Sequence, residues 1–163
     1  MRHTWVSRIV TVTLVGGLCL VGYGLAHADK PIKPRFSVLS KDPAWVLDHT
    51  TSVQWQKAPG STMAWSDAVT YCTGLGDGAR LPEVKELISL VDYSVASPGP
   101  VLPPGHPFTN VQSAGHWSAS TSAGNPSFAW VVNFGGGDVY LNDKTNGNIA
   151  WCCARLGGPL MIG

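Results

Sequence analysis

Charge is scarce in this sequence. Only 13% of its 163 residues are charged, against 44% that are apolar, and that excludes a disordered chain, which is poor in apolar residues and rich in charge. The basic residues nowhere cluster, so the sequence offers no field to draw in nucleic acid or an anionic membrane. The signatures of common hydrolytic and redox sites are missing: there is no Gly-x-Ser-x-Gly, His-Glu-x-x-His or Cys-x-x-Cys. Past residue 28 the imidazoles are His49, His106 and His116, with no metal-ligand spacing among them. Gly74, Gly76 and Gly78 follow a helical pattern rather than a strand and lack a Lys-Ser/Thr. They read as a turn, not a phosphate loop. Internal repeats and low-complexity tracts are absent as well. An enzyme is not expected.

What is there begins with an N-terminal export pattern. Arg2 and Arg8 precede an uncharged stretch, Ile9 to Ala26, and Ala26-His27-Ala28 is a small-x-small site. Met1–Ala28 reads as a cleaved secretory signal. The rival reading is a retained membrane helix, because the run is near the lower length limit for a span. Cys19 follows Gly16-Gly17-Leu18 and lacks the small neighbour of a lipoprotein site. The expected location is periplasmic or extracellular, with no membrane contact after cleavage. Asp29–Asp42 carries Pro31 and Pro34 and reads as a linker or loose arm. The domain is expected over Pro43–Leu156, with a tail at Gly157–Gly163. Without the signal, nine basic residues face ten acidic ones, a net charge of −1.

Within the domain the pattern is helical first and β afterwards. Val53-Gln54-Trp55 reads as a strand. Ser61-Thr62 can cap a helix in which Trp65, Ala68, Val69 and Cys72 recur at helical spacing. Pro82 is expected at the first position of a second helix, with Glu83 and Glu86 satisfying its N-terminus and Val84, Leu87, Ile88 and Val91 forming its apolar stripe. A proline-rich loop, Ser94 to Asn110, follows. Short strands are then expected at His116–Ser120, Ala129–Phe134, Asp138–Leu141 and Ile149–Arg155, joined by hairpin-type turns at Gly135-Gly136-Gly137 and Asn146-Gly147. The class is α+β, two helices packed on a small, loop-rich antiparallel sheet.

Three cysteines remain in the mature chain: Cys72, Cys152 and Cys153. Export permits a disulfide, and Cys152 and Cys153 are adjacent and poorly placed to bond each other. Strand alternation puts Ile149, Trp151 and Cys153 on one face and Ala150 and Cys152 on the other. The first set is bulkier and is expected to face the core. Cys153 is therefore the expected partner of Cys72, and Cys152 the free thiol, either inert or able to link two copies into a homodimer.

Several segments, in order, resemble a known family: Val53-Gln54-Trp55-Gln56, Met63 through Cys72, Arg80-Leu81-Pro82, Leu90-Val91-Asp92-Tyr93, His116 through Thr121, Asn125-Pro126 through Phe134, and Cys153-Ala154-Arg155. Together they are similar to the Lcl C-terminal domain, a bacterial domain of unknown function named after a collagen-like adhesin. The resemblance covers about Asp48 to Arg155. It implies a C-type-lectin-like fold, related to that of the formylglycine-generating enzymes, and an envelope or extracellular role, in some members adhesion to glycans. Two features depart from the family: the stretch before Arg80 is short and Gly-rich, and collagen-like repeats are absent.

Asn142-Asp143 lies where calcium-dependent lectins place an Asn-Asp ligand pair. Calcium needs about six to eight oxygens, and the usual Glu/Gln-Pro-Asn/Asp partner motif is missing. The expectation is therefore no cofactor, with calcium as the alternative, and Asn142, Asp143 and Asn146 as turn formers. Of the aromatics on the expected sheet, Trp117, Trp130, Tyr140 and Trp151, most should be core. Tyr140 is the best candidate for an exposed sugar platform. Candidate ligand-binding residues are Tyr140, Asn142, Asp143, Trp117 and Trp130. Arg80 is expected to bridge loop carbonyls. The function expected is an exported binding module for a glycan or surface protein. Alternatives are a structural subunit of a surface assembly and, last, an enzyme related to the formylglycine-generating ones.

Overall fold

The computed structural model describes residues 34–155. The expected signal segment and the tail Gly157–Gly163 lie outside them. The described chain runs β1 (Phe36–Val38), β2 (Trp45–Asp48), β3 (Val53–Gln56), β4 (Thr62–Met63), α1 (Trp65–Gly74), α2 (Val84–Leu90), β5 (Gly115–Thr121), β6 (Phe128–Asn133), β7 (Val139–Asp143), β8 (Asn148–Ile149) and β9 (Cys153–Arg155). The class is α+β, but there are two sheets where one was expected. Their strand orders are β1-β2-β3-β9 and β4-β8-β5-β6-β7. All pairings are antiparallel except β5 with β8, which is parallel through His116 and Ile149.

Both helices follow from local chemistry. In α1, Ala68 and Cys72 are the buried residues, one turn apart, as helical periodicity requires. Its N-cap is Ala64, which makes no side-chain cap bond. The expected cap, Thr62, is instead paired with Ile149 in the sheet. The helix stops where Gly76 (φ 74°) and Gly78 (φ 72°) take left-handed conformations that glycine adopts without a steric penalty. In α2, Glu83 is the N-cap and forms a reciprocal capping box with Glu86, whose carboxylate accepts the Glu83 N–H at 2.7 Å. Two orphan donors are thereby satisfied. Pro82 precedes the cap rather than opening the helix, and Val91 (ψ 129°) already lies outside it.

Ile149–Arg155 is not one strand. It crosses from the second sheet to the first, pairing as β8 and then as β9, and both of its sides are buried. Trp151 and Cys153 enter one cluster with Trp55, Phe108, Val132, Phe134 and the α2 residues Leu87 and Leu90. Ala150 and Cys152 enter another with Trp117, Val131 and the α1 residues Ala68 and Cys72. The alternation expected of this segment holds. What fails is the assumption that only its bulkier side meets a core.

That failure corrects the disulfide. Cys72 bonds Cys152, with Cα atoms 5.3 Å apart, and Cys153 is the buried free thiol. Cys72 projects from the buried side of α1, and Ala150 and Cys152 face that helix. The expectation of a homodimer through Cys152 falls with the assignment, because that sulfur is already bonded. The expected loose arm is also corrected in part. Phe36–Val38 pairs with β2, Phe36 is buried, and Arg35 holds Asp48 at 2.8 Å and the Ser89 carbonyl at 2.7 Å. The proline-rich loop is anchored too, through buried Val101, Leu102 and Phe108.

Candidate functional site: the β7 edge

β7 ends the five-stranded sheet, with β6 as its one neighbour among the described residues. Three consecutive large apolar side chains are exposed on it: Val139 at 38%, Tyr140 at 38% and Leu141 at 40%. Alternation and register sort them onto two faces. Tyr140 opposes Val131 and Asn142 opposes Ala129. Val131 and Ala129 belong to the α1-side core, so this is the α1 face. Leu141 opposes Trp130 and Val139 opposes Val132. Val132 belongs to the α2-side core, so this is the α2 face.

The α1 face is aromatic and polar. Tyr140 reaches across Val131 towards Gly115 on β5: a Cβ at Gly115 would lie 2.5 Å from the Tyr140 hydroxyl, 2.5 Å from Asn148 Oδ1 and 2.8 Å from the Val131 side chain. Only glycine leaves room for this convergence. Asn148 is 6% exposed, and its Nδ2 is buried with no hydrogen-bond partner in the protein. A buried amide donor of this kind carries a desolvation cost until something accepts from it. Partial burial also raises the pKa of the Tyr140 hydroxyl, which keeps it a proton donor.

The expected site residues do not form one constellation. Trp117 is fully buried and its Nε1 donates to the Met63 carbonyl at 2.9 Å, so it cannot meet a surface ligand and is corrected to core. Trp130 is half-buried, but on the α2 face. Asp143 opposes Phe128 and is also on that face, leaving Tyr140 and Asn142 together on the other. One side-chain oxygen each of Asn142 and Asp143 is taken up by a turn. Asn142 Oδ1 accepts from Asp143 N at 3.0 Å and Asn146 Nδ2 at 2.7 Å. Asp143 Oδ1 accepts from the Thr145 N–H and hydroxyl at 2.9 and 2.7 Å, the N–H first and then the hydroxyl holding its pKa below the usual carboxylate range. No group of three or more His, Cys, Asp or Glu suited to a metal occurs among the described residues. Asn148 and Gly115 escaped the sequence reading. The available signal was a glycine at the start of a strand pattern, which marks a close approach.

The Lcl C-terminal domain family model matches residues 44–154. The chain belongs to the Lcl C-terminal domain family. No curated protein matches the sequence.

In this Lcl C-terminal domain, two short motifs far apart in sequence meet. Arg80 of Arg80-Leu81-Pro82 and Cys153 of Cys153-Ala154-Arg155 exchange backbone hydrogen bonds at 2.9 Å each. The Arg80 guanidinium donates to both Glu86 carboxylate oxygens, at 2.8 and 2.7 Å, and to the Leu81 carbonyl at 3.0 Å. The expectation that Arg80 bridges loop carbonyls holds for one carbonyl, that of Leu81, while its main partner is the Glu86 carboxylate. Burial opposes the Glu86 charge, but the Arg80 hydrogen bonds prevail and hold its pKa below the ordinary value. Cys153 lies beside them, its sulfur 3.9 Å from Glu86 Oε2. Burial pushes its thiol up to about 12. It is protonated at neutral pH, a poor state for a nucleophile.

Proposed function

We propose that this chain is an exported, non-enzymatic binding module with a C-type-lectin-like fold, acting at or outside the bacterial envelope. It recognises a glycan on the α1 face of the β7 edge and needs no cofactor. The observation that carries this reading is the exposed Tyr140 ring, whose hydroxyl converges with the Asn148 side-chain oxygen over Gly115. An aromatic face beside amide and hydroxyl groups suits a sugar, which is apolar on its ring face and polar at its rim. The secretory pattern of Met1–Ala28 and the Cys72–Cys152 disulfide both fit an oxidising compartment. The protonated, buried Cys153 supports a non-catalytic role.

A glycan array probed with the mature domain, once in calcium and once in chelator, tests the reading. Binding is expected in both buffers, because Asn142 Oδ1 and Asp143 Oδ1 are already engaged in their turn and calcium needs about six to eight oxygens. Binding abolished by chelator would overturn the cofactor-free mechanism. No binding in either buffer would overturn the glycan reading. A second reading, a subunit of a surface assembly, is favoured by the α2 face, where Val139 and Leu141 are exposed and Tyr93, at 69% exposure, hydrogen-bonds the Gly137 carbonyl.

A further inference from the structure

A cleft with basic side chains at its wall lies away from the β7 edge. Of the seven Lys and Arg side chains among the described residues, Lys85 and Arg155 line one cleft between the β2–β3 turn, α2 and the end of β9, and two more, Arg35 and Arg80, bond its lining residues Ser89 and Glu86. Two of the four are committed: Arg35 to Asp48 at 2.8 Å and Arg80 to Glu86 at 2.7 Å. The other two are available. Lys85 is exposed and makes no ion pair among the described residues. The Arg155 side chain is 72% exposed and approaches Glu86 only at 3.9 Å. Both line an open cleft of about 530 Å³, floored by Val53 and edged by the hydroxyls of Thr51, Ser52 and Ser89. Ser52 holds a left-handed backbone (φ 58°), disfavoured for a residue with a side chain, at the turn that presents two of these hydroxyls.

The charges select the ligand. Lys85 and Arg155 bring two positive charges to the cleft, and the Glu86 carboxylate beside them is already held by Arg80, so the cleft calls for an anionic ligand. A guanidinium fork matches a planar carboxylate in a bidentate pair. The hydroxyls around it suit a hydroxylated body. Val53 and the aliphatic stems of Lys85 and Arg155 offer apolar contact to a ring face. The volume falls within the usual range for a small-molecule site. We propose that this cleft binds the carboxylate of a sugar acid, with Arg155 and Lys85 as the carboxylate-recognising residues. The site is separate from the β7 edge and does not depend on it.

The test is a calorimetric or NMR titration of the mature domain with galacturonate, galactose and inorganic phosphate. Galacturonate should bind saturably and about tenfold or more tighter than galactose, the worth of one charge-assisted hydrogen bond. Arg155→Gln and Lys85→Gln should each weaken it about tenfold with melting temperatures unchanged. Lys85 makes no contact needed for folding, so its variant decides the matter even if Arg155→Gln is unstable. Tyr140→Ala should leave galacturonate binding intact, which separates this site from the β7 edge. Equal binding of galactose, equally tight binding of phosphate, no saturable binding, or indifference to Lys85→Gln would each overturn the proposal. So would loss of binding in Tyr140→Ala.

Discussion

The two sides of the five-stranded sheet are held by different means. On the α2 side aromatic mass does the work. Trp151 is in ring contact with Trp55, Phe108, His116 and Phe134, with centroids 5.1–5.7 Å apart. Each such pair contributes about 0.5–1.5 kcal/mol beyond area burial. On the α1 side small residues, Ala68, Ala129 and Ala150, surround Trp117, and a disulfide closes the core. Larger side chains, Trp45, Trp65 and Tyr71 among them, pack against this core only half-buried, and the covalent bond stands among the small buried residues. The difference continues to the sheet edge, where β7 shows Tyr140 and Asn142 on one face and Val139 and Leu141 on the other. Each side of the sheet therefore keeps its own chemistry from core to surface.

The strongest way to break this comparison is to open the disulfide. The Cys72–Cys152 bond spans 80 residues, and in the chain-entropy picture Cys152→Ala should cost about 4 kcal/mol, read from urea unfolding. Mass spectrometry of the same variant carries a sharper outcome. Cys72 and Cys153 lie on opposite sides of the β8–β9 segment, so both should remain free thiols. A Cys72–Cys153 bond in that variant would contradict the two-sided core.

Next in size is a pH effect confined to the α2 side. His116 is fully buried, and burial lowers its pKa to about 4, only partly opposed by its hydrogen bond to the Ala114 carbonyl. In the unfolded chain the ring takes its proton near 6.5. Between those values the unfolded state binds more protons, so stability falls as pH drops from about 6.5 to about 4, by about 3 kcal/mol. The buried carboxylates Asp48 and Glu86 have lowered pKa values, and their contribution is lost only at more acidic pH. The residues of the α1-side core cluster carry no ionised side chain. NMR should show the folded His116 ring neutral at pH 5.5. A ring that titrates near 6.5 would contradict its burial.

A smaller effect sharpens the contrast between adjacent cysteines. Cys153 is buried without a covalent partner, so Cys153→Ala should cost about 1 kcal/mol, the loss of one small apolar group. Cost equal to that of Cys152→Ala would erase the distinction between the two faces.

Much of this was legible in the sequence, and the rest failed for identifiable reasons. The second helix was readable because its apolar stripe and its Glu83–Glu86 cap are both local in sequence. The alternation of Ala150, Trp151, Cys152 and Cys153 was readable for the same reason. Which cysteine meets Cys72 was not, because that depends on a core lying on each side of the segment, and alternation cannot say which neighbours it will face. β1 and β2 were missed because they are short, and β1 also lies in the stretch whose prolines and polar residues suggested a linker. At the surface, Tyr140 was readable as an exposed aromatic, but Trp117 and Trp130 could not be sorted from it without the register of β5, β6 and β7. The place of Asn148 was invisible because it meets Gly115, 33 residues earlier, only through tertiary pairing.

The smallest structural change tests the central claim most directly. Tyr140 is 38% exposed, so Tyr140→Ala should move stability by no more than about 1 kcal/mol. The measurement is glycan binding by this variant beside Leu141→Ala, its neighbour on the opposite face. Recognition on the α1 face predicts that Tyr140→Ala loses binding at an unchanged melting temperature while Leu141→Ala retains it. Binding kept by Tyr140→Ala and lost by Leu141→Ala would place recognition on the other face and contradict the account.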